Sequence, residues 1–347
     1  MLNRYDWPLW HWHFELSSIC TLKCPRCPRT ELPETLVQDQ LRLSFFEANF
    51  PADVAQHMRR ITFCGDDGDP IYAKDFIPIV RYFKTIDPTI SLQIITNGGY
   101  KTKEWWEELG GLLNEYDEIH FSIDGSTQEI SEKYRVNSDH AGSLLGMKTI
   151  SETSKALISW DMIAFSFNQD DIEASKTLAK SLGADQFQLT LSTKFGSIHS
   201  NYLTDGVDLL EPREEFLPSA KRFERMFTKF TRKMLKDNGA KDANIAAYNA
   251  VRNKSTGPII PLCKIGTKGM FVNSRGYLIP CCWVGNRYNW AGYRRFQRED
   301  NQIQNVGLEA VLNNEAWESF FNDFVKMPEC INKCSAHLVN VNYATMW

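Results

Sequence analysis

The 347-residue sequence has no run of about 20 uncharged apolar residues, so no segment reaches the length that a membrane-spanning helix requires. Its first residues, MLNRYDWPLWHWHF, lack both the apolar core and the small-residue cleavage site of a secretory signal. A strong net charge is also missing: 39 Lys and Arg against 43 Asp and Glu leave −4. No internal repeat or low-complexity tract stands out. With 43% hydrophobic and 24% charged residues, the composition excludes a disordered, collagen-like or coiled-coil chain. The reading is a soluble, cytoplasmic protein, long enough for one large domain or two smaller ones.

What the sequence does hold is cysteine. Nine lie at 20, 24, 27, 64, 263, 281, 282, 330 and 334, and all but Cys64 fall in two widely separated sets. An odd count, tight spacing and no secretion signal argue against a disulfide framework and point to metal ligation.

The first two hundred residues alternate β-rich runs with amphipathic segments. Strands are predicted at 11–17, 60–63, 91–96, 118–123, 158–167 and 186–191, with helices at 45–58, 74–84, 103–116, 142–154 and 172–182. Such alternation implies βαβ units and a parallel sheet. Six units are too few for the closed eight-fold barrel, so the fold class is α/β, a partial (βα)6 parallel barrel. Chemistry is then expected beyond the carboxyl ends of the strands, where Cys20, Cys64, Asn97, Asp124 and Asn168 fall.

Residues 1–200 make up this barrel, 201–255 a basic helical connector and 256–347 a smaller C-terminal α+β domain with a helix at 308–325. Segment 221–254 carries ten Lys and Arg against three acidic residues, a net +7. Nucleic-acid binding is open to it, but a solvated helix face is favoured.

Cys20-Thr-Leu-Lys-Cys24-Pro-Arg-Cys27 follows the first strand directly, and Pro25 and Pro28 keep it from being ordinary helix. A structural zinc site wants four protein ligands, and no fourth follows nearby. Three thiolates better match a 4Fe–4S cluster with one iron open to an outside ligand.

The motif Cys-x3-Cys-x2-Cys after a first strand resembles that of the radical S-adenosylmethionine (SAM) enzymes, and the rest of the chain extends the likeness. Cys64-Gly65-Asp66-Asp67-Gly68-Asp69-Pro70 is similar to the family's Gly-Gly-Glu-Pro motif, whose backbone holds the SAM amino group. Ile95-Thr96-Asn97-Gly98 ends the third strand as the family's Thr-Asn-Gly does. His120-Phe121-Ser122-Ile123-Asp124-Gly125 with Tyr134-Arg135 resembles the fourth-strand block of the subgroup containing sulfatase maturases, which implies SAM contacts at Ser122, Asp124 and Arg135. Asn168 and Leu191 fall where ribose and adenine are held. The sequence departs from the family in two places: Arg26 stands where an aromatic residue is usual, and the acidic loop has two extra carboxylates, with Asp in place of Glu.

In the second set, Gly276-Tyr-Leu-Ile-Pro-Cys281 reads as a hairpin strand delivering a thiol. Cys263, Cys281, Cys330 and Cys334 can complete one further 4Fe–4S cluster, and the set resembles a shortened SPASM domain, the twitch form. Successive residues of a strand point to opposite sides, so Cys281 and Cys282 do not both face one cluster, and Cys281 is chosen because it fits the Gly-x4-Cys spacing. Cys64 and Cys282 are read as ordinary buried thiols.

The resemblance implies an enzyme that cleaves SAM reductively at its cluster to a 5′-deoxyadenosyl radical. One auxiliary cluster then assists oxidation or rearrangement of a small molecule or nucleotide. An electron donor such as flavodoxin or ferredoxin is implied. Peptide or protein modification is the alternative within the class, and a zinc-stabilised nucleic-acid-binding protein the alternative outside it. No catalytic acid or base is assigned.

Overall fold

Strand β1 (His11–Phe14) sends alternate side chains to opposite faces. Trp12 and Phe14 enter an aromatic core with Phe46, Phe50 and Phe83, and the Trp12–Phe50 and Phe14–Phe46 rings meet edge-on at 4.9 and 5.1 Å. His11 and His13 point the other way. His11 Nε2 lies 3.2 Å from Thr62 Oγ1, which donates to Gln93 at 3.1 Å, while His13 Nε2 lies 2.8 Å from the Cys64 carbonyl. One face of these strands is thus an apolar seal and the other a polar lining.

The computed structural model describes residues 9–192, 203–204, 207–213, 261, 263–264, 269–287, 290–323, 330, 334 and 342–346. The basic segment 221–254 lies outside them, as does most of the 201–255 connector. The chain divides into two compact units. The first is Met1–Cys20, Leu32–Gln93 and Phe227–Val339, and the second is Thr21–Glu31, Ile94–Met226 and Asn340–Trp347. The boundary falls inside β3 (Ser91–Thr96).

In the first unit β1 pairs in parallel with β2 (Arg60–Phe63), His11 opposite Arg60. Helix Leu43–Asn49 and the single turn Ala52–Ala55 connect them. The continuous helix expected over 45–58 is interrupted because Pro51, in extended conformation, caps the second piece. Helix Phe76–Ile86 follows β2 and buries Phe76, Ile79, Val80 and Phe83 along one stripe.

Sequence periodicity did not foresee what lies on the other edge of β1. There β9 (Met270–Val272) pairs in parallel, Trp12 opposite Met270, and β10 (Leu278–Ile279) closes an antiparallel hairpin with β9. Gly276 makes that turn at φ +78°, a conformation that only glycine adopts readily. The expected helix 308–325 is two helices, Leu308–Leu312 and Ala316–Asp323. The break lies at Asn313–Glu315, where the Asn314 side chain accepts from Ala316 N and donates to Asp300 O instead of continuing the helix.

In the second unit β4 (Glu118–Ser122), β5 (Leu157–Ala164) and β6 (Gln186–Leu191) pair in parallel in chain order. β11 (Asn342–Met346) adds to β6 antiparallel, and β7 (Leu203–Thr204) and β8 (Val207–Asp208) form a separate small hairpin. Helices Lys103–Gly110, His140–Thr153 and Ile172–Ser181 cross between the strands. The first two pack so closely that a Cβ on Gly146 would lie 2.5 Å from the Trp106 ring. The fold is mixed α/β on parallel βα units, consistent with a partial-barrel core. Among the described residues no helix is long and apolar enough to cross a membrane.

Candidate active site

The loop after β1 is shaped by its own backbone. Cys27 N donates to Cys24 O at 3.1 Å, and the Cys27 carbonyl accepts from Thr30 N and Glu31 N to start the one-turn helix Pro28–Glu31. Lys23 N is tied to Val136 O at 3.0 Å. Arg26 forms an ion pair with Glu31, which gives this departure from the usual aromatic residue a local role. Cys24 packs against the cluster of Tyr134, Phe165 and Leu210, with Phe167 beside it. Cys20 belongs to the first unit, Cys24 and Cys27 to the second.

The acidic loop after β2 is pressed against the end of β1. A Cβ on Gly68 would fall 1.9 Å from Ser17 O, and one on Gly65 would lie 2.9 Å from Glu15 Oε1. Only glycine fits either place. Asp69 Oδ1 accepts from Ile71 N and caps the 3-10 turn Pro70–Tyr72. Asp67 N donates to Glu15 Oε1 at 2.7 Å, and its carboxylate receives Arg287 Nε at 2.7 Å. Glu15 itself is buried and also accepts from Ser274 N at 3.3 Å. Burial, then the charges of Asp67 and Asp66, push its carboxyl up to about 8.

Thr96 and Asn97, both buried, fold the end of β3 back on itself. Thr96 Oγ1 accepts from Gly98 N and Asn97 Oδ1 from Gly99 N, each at 3.0 Å. Gly98 has φ +76°, and a Cβ there would strike the Phe121 ring at 2.7 Å. Ser143 Oγ donates to Asn97 O, tying the turn to helix His140–Thr153.

Ser122 ends β4 and is partly exposed. Asp124, with no exposed surface, accepts from Ile163 N at 2.7 Å and pairs with Arg135 Nε at 2.8 Å. Burial opposes the Arg135 charge, but Asp124 and the neighbouring Cys24 outweigh it and the net shift is upward. Asn168 is fully buried. Its amide donates to Asp124 O and Ile163 O and accepts from Phe165 N, so both side-chain hydrogens are used on backbone and none remains for a ribose. Leu191, at the end of β6, is partly buried opposite Ala164.

Cys263, Cys281, Cys330 and Cys334 are all buried in the first unit and interact electrostatically with one another. Burial, then Cys334, pushes the Cys263 thiol up to about 12, and burial followed by Cys263 raises Cys281. Cys330 is raised first by its hydrogen bond with Cys334. Thiols so placed ionise readily only onto a cationic centre. Cys282 separates from this set. It begins the helical turn Cys282–Gly285 and interacts instead with Cys64. Among the described residues, no three His, Cys, Asp or Glu stand where they could hold a single metal ion.

Three functional candidates escaped sequence reasoning. Glu15 and Arg287 carry no motif and become visible only through their partners. His120 shows no partner in the sequence, yet in the structure its Nδ1 lies 2.9 Å from Asp161 and its Nε2 3.1 Å from Glu118. The Glu118-x-His120 spacing of a strand was the available signal, since residues two apart share a face.

The sequence matches no protein-family model and no curated protein. The fold is similar to that of Streptococcus suis SuiB bound to S-adenosylmethionine, with TM-score 0.55 and 12% identity over 91% of this chain and 68% of SuiB. SuiB bound to its precursor peptide SuiA gives 0.54 and 13% over 91% and 67%. Native anSMEcpe with bound AdoMet and the Cp18Cys peptide gives 0.52 and 16% over 89% and 82%. At these identities what is shared is the fold, and the likeness to the radical SAM enzymes that the motifs suggested holds at that level.

Proposed function

We propose that this chain is a radical SAM enzyme with one auxiliary cluster. The observation that supports it is a coincidence of motif and place. Cys20, Cys24 and Cys27, the Gly65–Gly68 loop, Thr96-Asn97-Gly98 and the Ser122–Asp124 block stand at the carboxyl ends of β1, β2, β3 and β4 in turn, in a fold shared with proteins crystallised with SAM. The donor sets fit the groups. Three thiols in one loop suit a cluster with an open iron, and four buried thiols suit a closed one.

Cys20, Cys24 and Cys27 would hold the first cluster, which would supply the one-electron reduction of SAM from which hydrogen abstraction follows. The chain's own residues hold and shield. The backbone of Gly65–Gly68, pressed against Glu15 and Ser17, offers carbonyl oxygens as acceptors for the SAM amino group. Arg135, fixed by Asp124, keeps a cation beside Cys24. Tyr134, Phe165 and Leu210 back Cys24 on one side, the Tyr134 and Phe165 rings 4.5 Å apart. Asn168 sets the β5 loop through its hydrogen bonds with Asp124 O, Ile163 O and Phe165 N. In the auxiliary set Cys281, not Cys282, is the ligand.

Oxidation or rearrangement of a small molecule or nucleotide is one reading of the substrate. A peptide substrate is the second, and one observation favours it: SuiB and anSMEcpe were both crystallised with peptides. The electron donor is a flavodoxin or ferredoxin. The test is anaerobic purification, with roughly eight irons per chain expected. Replacing Cys20, Cys24 and Cys27 by Ala should halve the iron and abolish release of 5′-deoxyadenosine. Colourless protein with stoichiometric zinc would instead support the zinc-stabilised alternative and end this reading.

A further inference from the structure

Arg287 is 2% exposed and carries no motif. Its guanidinium joins two segments far apart in sequence. Nε donates to Asp67 Oδ1 at 2.7 Å, and Nη1 donates to Leu32 O at 2.6 Å and Thr35 Oγ1 at 2.7 Å. Asp67 lies in the acidic loop, and Leu32 and Thr35 lie just beyond the three-cysteine loop. Ser274, at the β9–β10 turn, meets the same place through Glu15, whose other oxygen accepts from Asp67 N.

The charges explain the need for a cation. Glu15 and Asp67 are in contact, with Asp66 close by, and their mutual repulsion is felt at Glu15. Arg287 is the buried cation paired with this group, and its planar fork satisfies a carboxylate, a carbonyl and a hydroxyl at once. Asp67 is one of the two carboxylates that set this loop apart from Gly-Gly-Glu-Pro.

We infer that Arg287 is a positioning residue that holds the 65–69 loop in its SAM-receiving conformation through Asp67, so that the C-terminal segment governs SAM affinity. The added carboxylate is the handle by which Arg287 grips the loop and not a SAM ligand. This rests on the radical SAM reading proposed above.

The test uses full-length, anaerobically reconstituted protein and measures SAM binding by equilibrium dialysis, with iron content beside it. Arg287→Met should weaken SAM binding at least about tenfold with iron unchanged. It should raise KM for SAM far more than it lowers kcat of uncoupled cleavage. Asp67→Asn breaks the same ion pair without emptying a buried site, and it should reproduce the effect if Arg287→Met fails to fold. The double variant should be no worse than the poorer single one, as coupled partners require. Arg298→Met, at an exposed pair with Asp300, is the control and should change nothing. Wild-type affinity in both Arg287→Met and Asp67→Asn, with iron intact, would overturn the inference and leave the enzyme reading standing. Failure of the wild-type protein itself to bind SAM would overturn both.

Discussion

Arg135 and Asp124 form an ion pair, 2.8 Å from Nε to Oδ2, around a carboxylate that has no exposed surface. Such a pair is worth most when one partner is removed, because the other is left charged and buried. Arg135→Ala should therefore destabilise the protein by about 3–5 kcal/mol in urea unfolding. The double variant Arg135→Ala/Asp124→Asn should be more stable than Arg135→Ala alone. Equal stability of the two would mean that the carboxylate finds another partner.

His120 predicts a pH dependence. Burial opposes its charged form, but Asp161 and Glu118 outweigh burial and raise it to about 9 from an ordinary 6.5. A base raised in the folded state contributes stability fully below about 6.5, and that contribution is lost as pH rises through about 9. Over that window the loss is of order 3 kcal/mol. Thermal melts from pH 6 to 10 should fall for the wild type, and His120→Gln should flatten the slope.

Gly68 has no room for a side chain. Its missing Cβ would meet the backbone of the segment after β1, Ser17 O at 1.9 Å and Ile19 N at 2.8 Å, and backbone cannot swing aside. Gly68→Ala should cost about 3 kcal/mol or more and abolish SAM binding. Gly307→Ala is the contrast, because a Cβ there meets nothing within 4 Å although its φ is +85°. It should carry backbone strain of about 1–2 kcal/mol without touching SAM affinity. Both effects are read from urea midpoints and equilibrium dialysis.

The adjacent cysteines should behave differently. Cys281 interacts with Cys263 and Cys334, Cys282 with Cys64. Cys281→Ala should lower the iron content from roughly eight to roughly four per chain, and Cys282→Ala should leave it at eight. Iron analysis of the two variants decides it.

Local chemistry settled much of this protein in advance. The strands Arg60–Phe63, Ser91–Thr96 and Gln186–Leu191 begin and end where the β-rich runs do, since branched and aromatic side chains suit a pleated, buried surface. The cysteine loop, the Thr96-Asn97-Gly98 turn and the acidic loop were legible as short motifs resembling those of a known family, whereas the need for glycine at Gly65 and Gly68 comes from Glu15 and Ser17, far away in sequence. Helix 45–58 was overextended because Pro51 acts against a periodicity that otherwise continues.

Tertiary structure alone decided the rest. Nothing near Met270 announces that β9 will lie along β1, and nothing near Asn342 that β11 will close against β6. The hydrogen bonds of the Asn168 amide with Asp124 O, Ile163 O and Phe165 N appear only in the fold. The grouping of Cys263 with Cys281, Cys330 and Cys334, and the grip of Arg287 on Asp67, join segments separated by many residues. Buried charges and thiols must find partners wherever packing places them, and that requirement leaves no periodic trace along the chain.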